Sequence, residues 1–350
     1  MANSTALPAL RGGLFALTAA FLFGVSTPMV QRFGAGVGSF STAALLYAGA
    51  ALVGALVRKP AEQEARLQKS DAKRIVLMAL SGAVIGPVAL AWGLQQTSGT
   101  SASLMLSLEA VFTAILARFW YRETLDRRVM LAMTLLTLGG MALVLDRAQT
   151  GATQVIGLLA VTAATVAWGV DNMLSRSVAE RDPGQVVMVK AALGACATSL
   201  LALAFREPLP QLWAAAALLG VGATGYGLSL RFYLVAQRAF GAARTGSVFA
   251  FAPFVGAAVA AALGERGSTA WMFGGALLMI AGIVLHLVEG HEHVHEHEEI
   301  EHEHAHSHDD GHHDHGHDPE LHDSHSHVHR HVAVRHTHAH VPDEHHAHRH

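Results

Sequence analysis

Cysteine and charged residues are scarce in this chain, and each scarcity excludes a class of protein. The 350 residues contain one cysteine, Cys196, which rules out an intramolecular disulfide framework and a cysteine-based zinc site. Charged residues make up 15% of the sequence, against about 25% in an average soluble domain. No basic stripe is interleaved with aromatic residues, so nucleic acid is not an expected partner. The 51% of hydrophobic residues and the 34 glycines instead favour a membrane protein.

Two kinds of active site are also missing from the sequence. No G-x-x-x-x-G-K-[ST] loop occurs, which argues against a pump driven by ATP. No set of nucleophile, base and orienting residue is recognisable either. We therefore expect a protein that is not an enzyme and requires no cofactor for its activity.

Histidine is almost absent from the first 290 residues, where only His286 occurs, and abundant after them. Charge divides at the same place. Residues 1–290 contain 21 Lys and Arg against 13 Asp and Glu, whereas residues 291–350 contain 3 against 14. The chain thus consists of a basic body with net charge +8 and an acidic, histidine-rich tail with net charge −11.

The body contains ten segments that are long and apolar enough to be membrane helices. A helix needs about 20 mostly apolar residues to cross the bilayer core, and lipid offers no hydrogen bonds to an open backbone. We therefore predict an all-α polytopic protein whose main partner is the lipid bilayer of the plasma (inner) membrane. The predicted segments are 13–32, 38–57, 75–95, 99–119, 128–146, 156–176, 186–205, 212–236, 244–263 and 269–288.

The distribution of Lys and Arg over the connecting loops predicts the orientation. The loop after the second segment alone contains six basic residues, between Arg58 and Arg74, and the loops after the fourth, sixth and eighth segments add more. The loops on the opposite side contain one each: Arg32, Arg147, Arg206 and Arg266. Because basic loops stay in the cytoplasm, we expect both termini to be cytoplasmic.

The body is an internal duplication. GLFALTAAFLFGVSTPM at Gly13 resembles GLLAVTAATVAWGVDNM at Gly157, and Phe112, Glu123 and Gly140 match Phe254, Glu265 and Gly282. Each copy holds five segments, an odd number, so the second copy enters the membrane inverted. We divide the chain into a first five-helix repeat (1–147), a second five-helix repeat (156–289) and a tail (290–350).

Inverted repeats are typical of secondary transporters, which bind their substrate near the membrane midplane between the repeats. A duplicated scaffold could also serve as a receptor or an assembly factor. Transport of a small-molecule substrate is the interpretation that the pattern favours. The oligomeric state is open, and a homodimer is possible.

Two stretches carry a family resemblance: LEAVFTAILARFWYRETLDRRVMLAMTLLTLGGMAL and APFVGAAVAAALGERGSTAWMFGGALLMIAGIVL. They resemble the paired end-of-repeat signature of the EamA-type drug/metabolite transporter superfamily. The resemblance implies ten helices and a transporter of small organic solutes, commonly an exporter. Pro253 matches the family's proline after the helix start, whereas Ala110 replaces it in the first copy. WGVDNMLSR at Trp168 also resembles a subgroup with histidine-rich C-terminal tails.

Ionisable residues inside predicted helices are candidates for the transport site, because charge at membrane depth is costly. Glu109, Asp171 and Lys190 are the main ones. Asp171 and Lys190 have similar predicted depths, so a purely structural ion pair is an equally good explanation for them. Glu109 has no obvious cation at its depth. It could exchange protons during transport, or serve as a neutral, hydrogen-bonded link between helices.

Four further residues are predicted to line a substrate cavity: Trp92, Trp168, Asn172 and Tyr226. Aromatic walls with a few polar groups suit amphipathic solutes. The competing interpretation is that Trp and Tyr near helix ends anchor the protein at the membrane interface.

The tail is predicted to be disordered without a ligand, because so polar a segment cannot bury enough apolar surface to fold. Its H-x-H alternation suits Zn, Ni or Co, with carboxylates as additional ligands. The candidate metal ligands are His291, His293, His295, His297, His302, His304, His306, His308, His312, His313, His315 and His317.

Two functions remain open from the sequence. The first is a secondary transporter of small organic solutes whose tail buffers or senses transition metals. The second is a divalent-metal permease or exporter that collects its cargo with the tail. The body helices contain scattered Glu109 and Asp171 rather than clusters of His and acids, which favours the first.

Overall fold

The body of the protein is a bundle of helices. The computed structural model describes residues 6–58, 65–121, 127–149, 151–175, 178, 181–240, 242–265, 269–287, 291–296, 300–306, 325–331 and 335–340. The first half of the body contains α1 (Ala6–Phe33), α2 (Ser39–Leu56), α3 (Ala72–Met78), α4 (Gly86–Leu94), α5 (Gly99–Met105), α6 (Leu108–Tyr121) and α7 (Arg127–Ala148). The second half contains α8 (Ala152–Ser175), α9 (Pro183–Ala204), α10 (Leu212–Val221), α11 (Ser229–Phe240), α12 (Ala242–Phe249), α13 (Ala252–Ala262) and α14 (Ala270–Leu287).

Eight helical stretches of the described residues are long and apolar enough to cross a membrane. The ninth and tenth predicted segments instead contain shorter apolar helices, Ala252–Ala262 and Ala270–Leu285. A helix of 11 residues such as α13 spans only about half of the hydrocarbon core. The eight candidate spans are Gly12–Phe33, Ser39–Leu56, Lys69–Leu94, Gly99–Trp120, Met130–Ala148, Ala152–Ser175, Pro183–Ala204 and Leu212–Gln237.

Four of the predicted segments are irregular. A π-helical turn interrupts the third segment at Ala79–Ile85 and the eighth at Gly222–Leu228. The fourth segment is broken between α5 and α6, and the ninth between α12 and α13. The break in the fourth segment occurs although Ala110 replaces the expected proline. Shorter i→i−3 hydrogen bonds, from Ser107 to Leu104 and from Glu109 to Leu106, bridge it.

Several helix contacts recur when each helix is replaced by its counterpart in the other half of the body. The second helix of each half packs against the other (α2 with α9), and so do the two last helices (α7 with α14). α1 packs against α11 and α13, and α8, the first helix of the second half, packs against α4 and α6. Each of these contacts of the first half with the second therefore has a counterpart in the reverse direction.

Glycine allows the closest of these contacts. A Cβ atom at Gly222 would lie 1.9 Å from the carbonyl oxygen of Leu46, and one at Gly49 would lie 2.1 Å from the carbonyl oxygen of Leu219. Both are too short for any side chain. Small residues that let backbones approach are the usual means of helix association in lipid, where apolar side chains gain little from leaving their surroundings.

Contacts between loops agree with the predicted alternation of the helices. At one end of the bundle Arg181 pairs with Asp71 at 3.1 Å, and the amide of Asp182 donates to Ala65. At the other end Glu207 accepts a hydrogen bond from the Ser41 amide at 2.7 Å. Each contact joins two connections that the helix count assigns to the same side. We refer to these as the Arg181 end and the Glu207 end.

The tail differs from its prediction in the residues that are described. Instead of a disordered chain it contains four strands, β1 (His291–Glu296), β2 (Ile300–His306), β3 (His325–His331) and β4 (Arg335–His340). β1 pairs with β4 and β2 with β3, both antiparallel. The alternation of histidine with other residues has the period of two that a strand also has, and the prediction from polarity alone overlooked it. The register pairs His291 with His340 and His302 with His329.

Candidate functional site

A cavity of about 60 Å³ lies inside the helical body, between the two halves. It is lined by side chains of α1, α2 and α6 from the first half and of α8, α9, α11 and α12 from the second half. The second π-helical turn also contributes to the lining. Six of the seven predicted site residues are among them: Glu109, Trp168, Asp171, Asn172, Lys190 and Tyr226. Residues that lie far apart in the chain therefore line one cavity.

Asp171 and Lys190 form an ion pair in this cavity. The ammonium of Lys190 on α9 donates to Oδ2 of Asp171 on α8, and the two side chains are 3% and 8% exposed. The other carboxylate oxygen, Oδ1, is buried and has no hydrogen-bond partner among the described residues. The pairing inferred from equal depth is thus present.

The π-helical turn at Ala79–Ile85 makes room for this pair. A Cβ at Gly82 would lie 2.2 Å from Oδ2 of Asp171, so no larger residue fits without displacing the carboxylate. The carbonyl oxygen of Gly82 accepts hydrogen bonds from the Tyr47 hydroxyl and, at 3.0 Å, from Nε1 of Trp168. Buried backbone groups need such partners. The turn therefore fixes the acid and two aromatic side chains together.

Glu109 is held by a different partner. It lies in the first turn of α6, immediately after the break in the fourth segment, and Asn172 donates a hydrogen bond to its Oε1. The first turn of a helix favours a negative charge, because the backbone amides there point toward it. Neighbouring residues of α8, Asp171 and Asn172, thus hold Lys190 and Glu109, respectively, at the cavity.

Aromatic rings form the remaining wall. The ring of Phe23 lies 5.6 Å from that of Trp168, 5.9 Å from Tyr226 and 5.3 Å from Phe249, measured between centroids. Two further pairs extend the cluster. Tyr47 lies 5.5 Å from Tyr226, and Tyr233 lies 5.0 Å from Phe249.

The sequence did not identify Phe23, Tyr47, Tyr233 and Phe249 as cavity residues. A hydroxyl within an apolar segment was the only available signal for Tyr47 and Tyr233. Phe23 and Phe249 lie in uniformly apolar stretches, which do not distinguish a lipid-facing ring from a cavity-facing one.

Trp92 was wrongly predicted to line the cavity. Its side chain is 41% exposed on the outside of α4. That helix turns Leu90, Ala91 and Leu94 inward, and a Cβ at Gly93 would lie 2.7 Å from the carbonyl oxygen of Gly157 on α8. Trp92 therefore falls on the opposite face.

A second cavity, of about 300 Å³, lies at the Glu207 end of the bundle. We call it the end cavity; its lining includes Val30, Gln31, Gly34, Thr42, Ala91 and Gln95. Gln31 donates to the carbonyl of Thr97 at 3.0 Å, and Gln95 donates to that of Val37 at 2.9 Å. On α1, Val30 comes two helical turns after Phe23, so the end cavity lies beyond the central one along that helix.

The described residues of the Arg181 end are packed with apolar side chains instead. Its side chains form a separate apolar cluster that consists of Ile75, Met78, Val178, Val186, Val187 and Leu234. All six are at most 3% exposed. The two ends of the bundle therefore differ in the residues that the structure describes: one holds a cavity, and the other is filled with apolar side chains.

Comparison with known proteins identifies the family. The EamA-like transporter family matches two stretches of the chain, residues 10–145 and 155–288. This protein belongs to that family. It is a multi-pass membrane protein.

A relative of this EamA-like protein is an uncharacterized transporter of Methanothermobacter thermautotrophicus. The two are 30% identical over 209 residues, which cover 57% of this chain and 60% of the relative. A solved structure described as "Crystal structure of protein" is similar with a TM-score of 0.57 at 17% identity, over 78% of this chain and 94% of that chain. That likeness shows the fold alone.

The predicted metal ligands of this EamA-like protein lie only partly in the described region. His291, His293 and His295 belong to β1, and His302, His304 and His306 belong to β2. Among the residues that the structure describes, no three His, Cys, Asp or Glu side chains are grouped so that they could hold a metal ion. The other predicted ligands lie outside the described residues: His297, His308, His312, His313, His315 and His317.

Proposed function

We propose that this protein is a secondary transporter, not driven by ATP, that exports small organic solutes through the central cavity. The observation that carries the proposal is the charge in that cavity: Asp171 and Lys190 are buried, and Glu109 is half-buried, in a site lined by both halves of the body. Ionisable side chains within membrane helices are costly and usually mark a substrate or ion pathway. We further propose the plasma membrane as its location and Trp168, Asn172 and Tyr226 as additional substrate contacts.

The two matched stretches are, in this proposal, inverted five-helix repeats that together make ten membrane helices. The irregularities of the helices support it. The π-helical turns begin 143 residues apart, at Ala79 and Gly222, and the helix breaks also recur once in each half. The exchange of packing partners between the halves is what a two-fold axis in the membrane plane would produce. The repeats are residues 1–147 and 156–289.

The difference between the two ends supports alternating access. A cavity lies at the Glu207 end, whereas six apolar side chains, each at most 3% exposed, pack together at the Arg181 end. The conformation is therefore open toward the Glu207 end and closed toward the Arg181 end.

Orientation follows from the basic loops, which belong to the Arg181 end. The positive-inside rule assigns that end to the cytoplasm, together with both termini. In this proposal the end cavity opens to the outside, and the apolar cluster is the cytoplasmic gate. Transport then requires the cluster to separate while the end cavity closes.

Cysteine accessibility tests the alternating-access proposal without knowledge of the cargo. In a Cys196→Ser background, Gln31→Cys introduces a thiol into the end cavity, and Ser175→Cys introduces one at a buried position near the opposite end of the bundle. We expect a membrane-impermeant maleimide to modify Gln31→Cys on intact cells, and to leave Ser175→Cys unmodified in inverted vesicles. Modification of Ser175→Cys from the cytoplasmic side with protection of Gln31→Cys would contradict the proposed conformation. Equal modification of both positions from one side would contradict alternating access.

The tail adds a second part to the proposal, the binding of transition metals such as Zn, Ni or Co. Its alternating histidines support this, because neutral imidazole suits these ions. The strand register adds support, since the backbone positions of histidines are opposite one another in both strand pairs. We propose that the tail buffers or senses metal in the cytoplasm, and that transport itself needs no cofactor.

The alternative function is a divalent-metal permease or exporter that gathers cargo with the tail. The histidine-rich tail is the observation that favours it. The central cavity favours the organic-solute function instead, because both of its carboxylates have protein partners, Lys190 and Asn172, and its walls are aromatic. Uptake of radioactive zinc and of a panel of organic solutes into proteoliposomes would separate the two. Saturable zinc transport without transport of any organic solute would establish the alternative.

A further inference from the structure

The end cavity differs from the central cavity in charge. Its lining comes from α1, α2, α4 and the residues next to them, all in the first half of the body. None of the described residues that line it is charged, whereas Glu109, Asp171 and Lys190 line the central cavity. A charged solute would therefore lose water in the end cavity without gaining an ionic partner from the lining. This favours an uncharged solute.

Small residues keep the end cavity open. Gly34, Ala35 and Gly36 line it one after another. A Cβ at Gly34 would lie 2.6 Å from the carbonyl oxygen of Val30, and Gly36 has a φ of 78°, in the left-handed region that favours glycine. Larger residues would thus strain the backbone as well as fill the space.

Two glutamine side chains fix the walls of the end cavity. Gln31 donates to the carbonyl of Thr97 at 3.0 Å, and Gln95 donates to that of Val37 at 2.9 Å. These bonds tie α1 to the connection after α4, and the end of α4 to the connection after α1. Small-molecule sites are usually formed before the ligand arrives. Because its amide nitrogen is engaged, Gln95 offers its carbonyl oxygen as an acceptor.

Thr42 carries the observation that points to a ligand. The residue is 1% exposed, and its Oγ1 has no hydrogen-bond partner in the part of the chain that the structure describes. A Cβ at Gly34 would lie 3.5 Å from this oxygen, so the hydroxyl faces a glycine of the cavity lining. Buried hydroxyls normally have a partner, and a molecule in the end cavity can supply one.

The end cavity also has an apolar side and room for a small solute. Val30, Ala91 and Leu94 in its lining are each at most 3% exposed. A volume of about 300 Å³ corresponds to roughly ten water molecules, and the 60 Å³ of the central cavity to roughly two. A solute that fills the end cavity is therefore too large for the central cavity.

We propose that the end cavity is a second binding site, which takes small uncharged solutes with an apolar face and an amide or hydroxyl group. The polar group of the solute pairs with the Thr42 hydroxyl, with the Gln95 carbonyl as a further acceptor. The apolar face packs against Val30, Ala91 and Leu94. The site is separate from the central cavity, so this inference does not depend on which solute the central cavity transports.

Protection of a thiol in the end cavity tests the proposal with three probes of nearly the same shape: uncharged benzamide, the benzamidinium cation and the benzoate anion. The full-length protein in nanodiscs carries Cys196→Ser and Ala35→Cys, which places the thiol at an exposed residue of the lining. We expect benzamide to slow modification by a maleimide at a concentration at least about 10-fold lower than either ion, because the lining offers the ions no opposite charge. Ser70→Cys, exposed near the Arg181 end, should react at the same rate with and without benzamide.

Substitution of Thr42 tests its part in the site. Thr42→Val removes the hydroxyl and keeps the shape, so we expect benzamide to protect about 5-fold more weakly, as for the loss of one neutral hydrogen bond. Thr42→Ser keeps the hydroxyl and should retain most of the protection. The matched control is Thr137→Val, because Thr137 is exposed on α7 and donates to the carbonyl of Met133 at 2.8 Å. Unchanged protection in Thr42→Val would overturn the assignment of Thr42.

Three results would overturn the site itself: no protection by benzamide, equal protection by the three probes, or stronger protection by either ion. Equal protection of Ala35→Cys and Ser70→Cys would also overturn it, since the effect would not be confined to the end cavity. If Thr42→Val does not fold, the comparison of the three probes decides alone. None of these results bears on the accessibility of Gln31→Cys, which is measured without a solute, so failure of this site is distinguishable from failure of the proposed function.

Discussion

Asp171 on α8 and Lys190 on α9 neutralise each other inside the membrane body, 19 residues apart in the chain. Removal of one partner leaves the other as an unpaired charge at a buried position, whereas removal of both leaves no unpaired charge. We expect Asp171→Asn and Lys190→Met each to lower stability by about 3–5 kcal/mol. The double variant should be closer to the wild type than either single variant.

The double-mutant cycle is measured by thermal unfolding of purified protein and by expression level in the membrane. Coupling of the two sites requires effects that are clearly not additive. Additive losses would mean that the two residues act independently, despite their contact.

Gly82 is expected to be essential for this pair. A methyl group there would lie 2.2 Å from Oδ2 of Asp171, so Gly82→Ala must displace either the carboxylate or the π-helical turn. Overpacking of this kind costs about 1–3 kcal/mol. We expect a lower melting temperature and loss of transport at an unchanged membrane level.

The matched control for Gly82→Ala is Gly220→Ala. Gly220 lies in α10, and a Cβ there would have no atom within 4 Å. Alanine in a helix is favoured over glycine by about 0.5–1 kcal/mol, so this variant should be neutral or slightly stabilised. Equal behaviour of the two variants would argue against a specific role of Gly82.

Glu265 is expected to stabilise the start of α5 from the opposite half of the chain. Its carboxylate accepts hydrogen bonds from the amides of Gly99 and Thr100, both at 2.8 Å, and from the Thr100 hydroxyl at 2.7 Å. Loss of a helix cap costs about 0.5–2 kcal/mol. We expect Glu265→Ala to lower the melting temperature and Glu265→Gln, which keeps one acceptor oxygen, to lower it less. A melting temperature unchanged in Glu265→Ala would remove the capping role.

Glu265 also illustrates what the sequence could predict. Its match with Glu123, 142 residues earlier, revealed the duplication. The hydrogen bonds to Gly99 and Thr100 were not predictable, because a repeated residue type does not say which helix it contacts. Glu123 lies outside the described residues, so its contacts remain unassigned.

The central cavity shows the same limit of prediction from sequence. Asp171, Lys190 and Glu109 were recognisable, because charge is rare in apolar segments and helix geometry gives its depth. Phe23 and Phe249 were not, since lipid and protein interior are equally apolar and leave no periodic pattern in the sequence. Trp92 was misassigned for the same reason. The π-helical turn at Ala79–Ile85, which fixes Tyr47 and Trp168 to Gly82, has no sequence signal of its own.

The tail is expected to be dispensable for transport. The stretch matched by the transporter family ends at residue 288, before β1 begins at His291. We expect a protein of residues 1–290 to insert and to transport at the rate of the full-length chain in metal-free buffer. Loss of all transport at an unchanged membrane level would contradict this and would favour a function in which the tail delivers the cargo.

Metal binding by the tail should depend strongly on pH. Only neutral imidazole binds a transition metal, so each bound ion competes with protons for its ligands. An unperturbed histidine titrates near pH 6.5. Most tail imidazoles are then neutral at about pH 7.5 and charged at about pH 5.5. The direction of the pH dependence is therefore fixed, because acidification protonates the ligands and weakens metal binding. Acidification also reduces the net negative charge of the tail.

Calorimetry on the full-length protein in nanodiscs measures this prediction, with the protein of residues 1–290 as the control. We expect the full-length chain to bind several zinc or nickel ions at pH 7.5, with an affinity that falls steeply toward pH 5.5 because two or more ligands must lose a proton for each ion. The shortened protein should bind none of these ions. Equal binding by both proteins would move the metal site from the tail into the body. An affinity independent of pH would exclude histidine as the main ligand and leave the interleaved carboxylates, which remain ionised over this whole range.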